Sequence, residues 1–210
     1  MLVSILIPTL LERSSTFQPK LESLYKQIKD NNLEEKVEII VMCDNRTMKL
    51  TEKRNTMQKL ARGLYFVHCD DDDDLAEDYC TKVVQHIEYI KTFRNDLPDI
   101  IGYDQKCFVG DKVFVVKPSM NHGFRLEECP ANVRHPYDVP VYYRYPWQWQ
   151  LWRTERFQHV WRTDSDTNAR EDVNWLKRVH LEYPHSMSVI ENWIGHHYNF
   201  QDPSKSTTQY

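Results

Sequence analysis

An α/β fold, with a central and mostly parallel sheet flanked by helices, is what the first hundred residues predict. Three observations carry the prediction. Apolar runs that suit strands buried on both faces recur at residues 2–7, 37–43, 65–69 and 99–103. Helix-period patterns stand between them. A polar loop follows each of the first three runs. The order is β-α-β-α-β-α-β, which implies parallel strands joined by right-handed crossovers.

The elements follow in order. Residues 2–7 form an apolar strand closed by Pro8, and TLLERSST reads as a polar loop. Leu21, Leu24, Tyr25 and Ile28 fall at i, i+3, i+4 and i+7, the stripe of an amphipathic helix. VEIIVMC is a second strand ending in the Asp44-Asn45 turn. Residues 49–62 read as a helix with Gly63 after it, and 65–69 as a third strand. Residues 75–93 read as one long helix and DIIGY as a fourth strand. In the second half, 107–116 resembles a hairpin around Gly110-Asp111. Residues 117–146 have weak periodicity, 147–160 and 170–181 look helical, and 185–190 reads as a short last strand. The expected organisation is one domain in two halves, residues 1–105 and 106–200, with 201–210 as a tail.

Composition excludes several classes. The formal charge is −4, which gives no general pull toward nucleic acid or an anionic membrane. Five glycines, with no GxGxxG and no GxxxxGK[ST], argue against a Gly-rich phosphate loop. Cys43, Cys69, Cys80, Cys107 and Cys129 are odd in number and form no CxxC, so neither a disulfide framework nor a zinc knuckle is indicated. The N-terminus lacks a basic region, and no apolar run approaches the ~20 residues of a membrane span. A reducing, cytoplasmic setting is the expectation.

The most informative stretch is HCDDDDDLAEDY, residues 68–79. Five carboxylates, Asp70 to Asp74, stand directly after a strand, at the end where ligands bind in open α/β sheets. One or two acids would suffice to cap a helix. Five repel one another and need a counter-charge. No basic residue adjoins them, which points to a hard divalent cation, Mg²⁺ or Mn²⁺. An EF-hand is excluded, because Leu75 stands where its glycine belongs.

Four segments resemble, in order, the motifs of the GT-A glycosyltransferases, family 2 in particular. VSILIPTLLER resembles the opening strand and loop, and IIVMCDN the second strand with its terminal acid. KRNTMQKLARGLYFVHCDDDDDLAEDY resembles the helix-strand-DxD block, and NAREDVNW the later E-D motif. The resemblance implies an inverting, metal-dependent transfer of a sugar from a nucleotide-diphosphate donor, UDP-linked by expectation, to a carbohydrate or other hydroxyl acceptor. It implies that Thr9, Glu12 and Asp44 line the nucleoside pocket and that Arg54 approaches the phosphates. Asp70 and Asp71 would contact the donor and Asp72 the metal; a slip of one residue would make Asp71 and Asp73 the pair. Asp172 would be the general base, with Glu171 orienting acceptor or base. His196 or His197 would complete a metal site favouring Mn²⁺ over Mg²⁺. Asp104, Trp149 and Trp152 would meet the acceptor, the indoles by stacking on a sugar face. The competing readings are a nucleotidyltransferase, a catalytically inactive nucleotide-sugar-binding module, and a transferase acting on a DNA nucleobase.

Overall fold

The computed structural model describes residues 1–130, 132–163, 171–182 and 186–200. Its strands are β1 Val3–Leu10, β2 Val37–Asp44, β3 Tyr65–His68, β4 Asp74–Leu75, β5 Ile100–Val109, β6 Lys112–Pro118, β7 Glu127–Glu128, β8 Val141–Arg144, β9 Leu151–Arg153 and β10 Met187–Phe200. The helices are α1 Ser14–Asp30, α2 Leu50–Leu60, α3 Tyr79–Phe93, α4 Thr154–Phe157 and α5 Glu171–Glu182.

All ten strands belong to one mixed sheet, whose main path runs β2-β1-β3-β9-β5-β6-β8-β7. The two longest ladders, β1 with β2 and β10 with β5, are parallel. Every residue of β1 is buried, as the unbroken apolar run requires of a strand with neighbours on both edges. Even-numbered residues of β1 face β3: the Leu2 and Leu6 carbonyls accept from the Tyr65 and Cys69 amides. Pro8 shares that parity, and β3 has ended opposite Leu6. The missing N–H of the proline therefore falls where no strand waits for it. Beyond that point the acidic run leaves the sheet.

Several sequence expectations need correction. TLLERSST is not a loop: Thr9 and Leu10 extend β1, residues 11–13 make a 3-10 turn, and α1 begins at Ser14. The helix expected from Leu75 begins at Tyr79, because Asp74 and Leu75 pair with His197 and His196 of β10. Residues 147–160 are helical only over α4. Leu151–Arg153 instead forms β9, which inserts antiparallel between β3 and β5. The open edges of those two strands satisfy its backbone, and the fully buried Trp152 packs edge-on against Phe157 and Trp175 at 5.1 and 5.0 Å. Helix periodicity cannot report a ladder edge waiting elsewhere in the chain. The last strand is also longer than expected. Asn192 takes φ +54° and shifts the register between Val189 and Ile194, after which β10 resumes. The hairpin at Gly110 is present as read.

Gly63, after α2, is held by close approach. A Cβ there would lie 2.6 Å from the Ser4 amide nitrogen and 2.7 Å from the Val3 carbonyl carbon. Backbone cannot yield as a side-chain tip can. Gly63→Ala is expected to destabilise the chain by about 1–3 kcal/mol in urea unfolding; an unchanged midpoint would mean that α2 and β1 separate at no cost.

Candidate functional site

The site lies at the carboxyl ends of β1, β2 and β3, where three loops converge. At the end of β2, Asp44 is nearly saturated. Its Oδ2 accepts from the Thr47 amide at 2.6 Å, the Met48 amide at 2.7 Å and the Thr47 hydroxyl at 3.1 Å, and its other oxygen pairs with the buried Lys53. Although burial opposes ionisation, Lys53 and these amides hold the Asp44 carboxyl down to about 2. Asp44 thus ties the β2 loop to α2, and its carboxylate is already engaged by protein donors. Glu12 is exposed and pairs with Arg46, which stands at φ +59° in the same loop. Lys53 also donates to the Thr9 carbonyl at 2.8 Å.

The acidic run finds its counter-charges from a distance. Asp70 pairs with Arg54 of α2. Asp71 accepts from the Thr9 hydroxyl at 2.7 Å and pairs with Arg13. Asp73 lies 3.2 Å from His196 Nε2, and Lys20 donates to its carbonyl at 3.0 Å. Asp74 pairs with Lys20 at 3.1 Å and accepts from Asn199 at 3.0 Å. No basic residue adjoins the run in sequence, but the fold brings three cations to it, Arg13 from the 3-10 turn, Lys20 from α1 and Arg54 from α2, with His196 of β10 beside Asp73. Asp72 is the most weakly paired, half-exposed and 3.6 Å from Arg13. Desolvation by the loop, then Asp70, Asp73 and Asp71, push its carboxyl up to about 6.

The long β10 brings both late histidines beside the run, but alternation sends them to opposite faces. His196 is buried, stacks on Trp149 at 5.6 Å and meets Asp73. Its Nδ1 is 2.9 Å from Gln105 Nε2, and the Cys107 thiol, 3.4 Å from Gln105 Oε1, fixes that amide's orientation. Nδ1 thus faces Gln105, and Nε2 lies on the Asp73 side of the ring without a hydrogen bond of its own among the described residues. His197 stacks on Phe108 across the sheet.

A buried charge cluster links the acidic run to α5. Arg54 pairs with Asp70 on one side and with Glu171 on the other. The second Glu171 oxygen meets Arg162 Nε at 2.8 Å. Arg162 also reaches Gln58 Oε1 and His68 Nε2, each at 3.1 Å. Burial, then Arg162 and Arg54, push His68 well below its ordinary range, so it is neutral and accepts. Glu171 is thus a buried counter-ion rather than a group that can orient an acceptor. The next residue, Asp172, is partly open. Its Oδ2 accepts from Trp147 Nε1 at 3.1 Å and its Oδ1 from the Val173 amide at 2.7 Å.

Two acceptor expectations do not hold geometrically. Trp152 is enclosed in the core and offers no face to a sugar. Asp104 is turned to the sheet face opposite Gln105, where its Oδ2 accepts from Lys117 and His135, each at 3.0 Å. Trp149, largely buried, borders the site through His196. Sequence reading passed over Arg13, Lys20, Lys53 and Arg162 as partners. Arg13 and Lys53 stand inside the quoted motif segments; nothing local marks Lys20 or Arg162. Among the described residues, no group of three or more His, Cys, Asp or Glu side chains forms a cage for a metal ion.

Two outcomes are expected. Glu171→Ala leaves two buried guanidinium groups without their shared carboxylate and should cost about 3–5 kcal/mol in chemical unfolding. The Asp44 carboxyl is depressed on folding, so the stability it contributes is present above its ordinary value of 3.8 and is lost as pH falls through about 2. The Tm difference between wild type and Asp44→Asn should be constant from pH 7 to 5 and shrink across that window.

No family model matches the sequence, and no curated protein matches it. Solved structures do. S. aureus TarS 1-349 in complex with UDP-GlcNAc superposes with TM-score 0.61 at 15% identity, covering 98% of this chain and 61% of that one. The same protein in complex with UDP gives 0.59 at 16% identity, with 95% and 60% covered. A longer TarS chain gives 0.59, with 37% of its length covered. The chain thus spans about three fifths of the TarS 1-349 structures it matches. At such identity the likeness is one of fold, and that fold is GT-A-like.

Proposed function

We propose that the chain transfers a sugar from a UDP-linked donor to an acceptor hydroxyl with inversion. One observation carries the reading: the Asp70–Arg54–Glu171 ion-pair chain binds the acidic loop to the helix that begins with Glu171-Asp172. A donor-phosphate region and a carboxylate base are thereby held as neighbours at the strand ends. The solved TarS structures with UDP and UDP-GlcNAc support the same donor class.

In this reading the acceptor oxygen attacks the anomeric carbon from the face opposite the diphosphate. The bond to the diphosphate oxygen breaks, its electron pair leaves with UDP, and Asp172 takes the acceptor's proton. Each carboxylate oxygen has two lone pairs, so Asp172 retains one for that proton while holding the Trp147 and Val173 donors. Arg13, partly exposed beside Asp71 and Asp72, faces the departing charge, whereas Arg54 is buried as the counter-ion of Asp70 and Glu171 and acts on the phosphates only through Asp70. Asp72 and His196 are the residues that would hold Mg²⁺ or Mn²⁺, His196 through the Nε2 atom that has no hydrogen-bond partner among the described residues. When bound, such an ion would supply neutralisation of the diphosphate charge. A site with few protein carboxylates, completed by phosphate oxygens, suits a half-exposed Asp72 without a close counter-charge.

Calorimetric titration of UDP tests this. Binding is expected with Mn²⁺, strongly reduced by EDTA and reduced at least tenfold in Asp72→Ala. Failure of UDP, GDP, dTDP and CDP to bind in either condition would overturn the transferase reading.

A further inference from the structure

Trp147 lies in the WQWQLW segment between β8 and β9, where an indole is most simply read as core packing or a sugar platform. It does belong to the buried core, which leaves no open face for a sugar, but packing does not account for its polar atom. The Arg144 guanidinium lies over the ring at 3.4 Å from its centroid and also over Trp149 at 5.4 Å, and Trp149 packs tilted beside Trp147 at 5.9 Å. Its carbonyl accepts from the Gln150 amide at 3.0 Å and the Trp152 indole at 3.1 Å, so the backbone is pinned as well. The one polar atom of the side chain, Nε1, is spent on Asp172 Oδ2. Arg144 itself donates to the Phe124 carbonyl at 3.2 Å, which anchors the outer side of the stack.

We propose that Trp147 is the positioning residue of Asp172; the inference rests on the reading of Asp172 as the base. A carboxylate on the first turn of a helix can rotate about χ1 and χ2. The Val173 amide fastens one of its oxygens, which leaves the plane free to swing about that contact. The indole N–H fastens the other. With both held, the unused lone pair of Oδ2 has one direction, set by a buried ring that Arg144 covers and whose backbone carbonyl is pinned by Gln150 and Trp152. The same stack continues through Trp149 to His196 and so to Asp73, which ties the direction of the base to the acidic loop. Trp147 touches no reacting atom in this account.

The test is a double-mutant cycle read by UDP release from UDP-GlcNAc and UDP-glucose in the presence of Mn²⁺, with water as acceptor. Trp147→Phe keeps a ring for Arg144 and Trp149 and removes the N–H. It should lower kcat by about tenfold to a hundredfold, with KM for the donor within about twofold of wild type. Asp172→Asn should lower kcat further, and adding Trp147→Phe to it should change nothing, because the indole acts through that carboxylate. If Trp147→Phe costs the same factor in both backgrounds, or raises KM alone, the indole is structural and the inference is wrong. Should Trp147→Phe fold poorly, 3-benzothienylalanine at 147 replaces N–H by sulfur in the same outline, and the same outcomes apply. Wild-type protein that releases no UDP from either donor overturns the functional reading and this inference together. Turnover sensitive to Asp172→Asn but indifferent to Trp147→Phe overturns the inference alone.

Discussion

Glu171 is the pivot of this molecule. Two arginines, Arg54 and Arg162, are almost completely buried, and a single buried carboxylate bridges them. Without Asp70 the cluster would carry excess positive charge; with it, two cations face two anions. Burying such a set is expensive unless every member is engaged. Gln58 and the neutral His68 take up further donors of Arg162. The energetic demand becomes an architectural one, because these groups come from α2, β3, α5 and the segment after α4. None of those elements can shift without stranding a charge.

The same arithmetic explains the acidic run. Read alone, five consecutive aspartates demand an external cation. In the fold, they form the anionic half of a distributed ion-pair network whose cationic half lies on the 3-10 turn, α1 and α2, with His196 of β10 beside it. Asp72 is the member the network serves least, which is why a ligand's charge would be felt there first.

The first half of the fold was legible because each of its elements carries its own pattern: unbroken apolar runs for β1 and β3, the Leu21–Ile28 periodicity for α1, Gly63 for the end of α2. What stayed hidden depended on partners distant in sequence. Trp152 reads equally well on a helix, and only the vacant edges of β3 and β5 make it a strand residue. His196 and His197 are equivalent in the sequence; β10 alternation separates them. Glu171 and Asp172 both look catalytic as an E-D pair, and burial beside Arg54 and Arg162 divides their roles. Asp104 follows a strand as a site residue should, yet pleat parity turns it away.

Pro8 has a consequence for how the sheet ends. A residue with an N–H at that position would offer β3 one more rung, inviting the strand to run on past Leu6. The aspartates would then be drawn into the ladder, with alternate carboxylates pointed into the core. Proline refuses that rung, so the sheet parts along a seam at a defined height. Past that seam β1 meets the acidic loop through side chains, the Thr9 hydroxyl on Asp71, rather than through the ladder, and that exchange is in this sense made by an absent hydrogen atom.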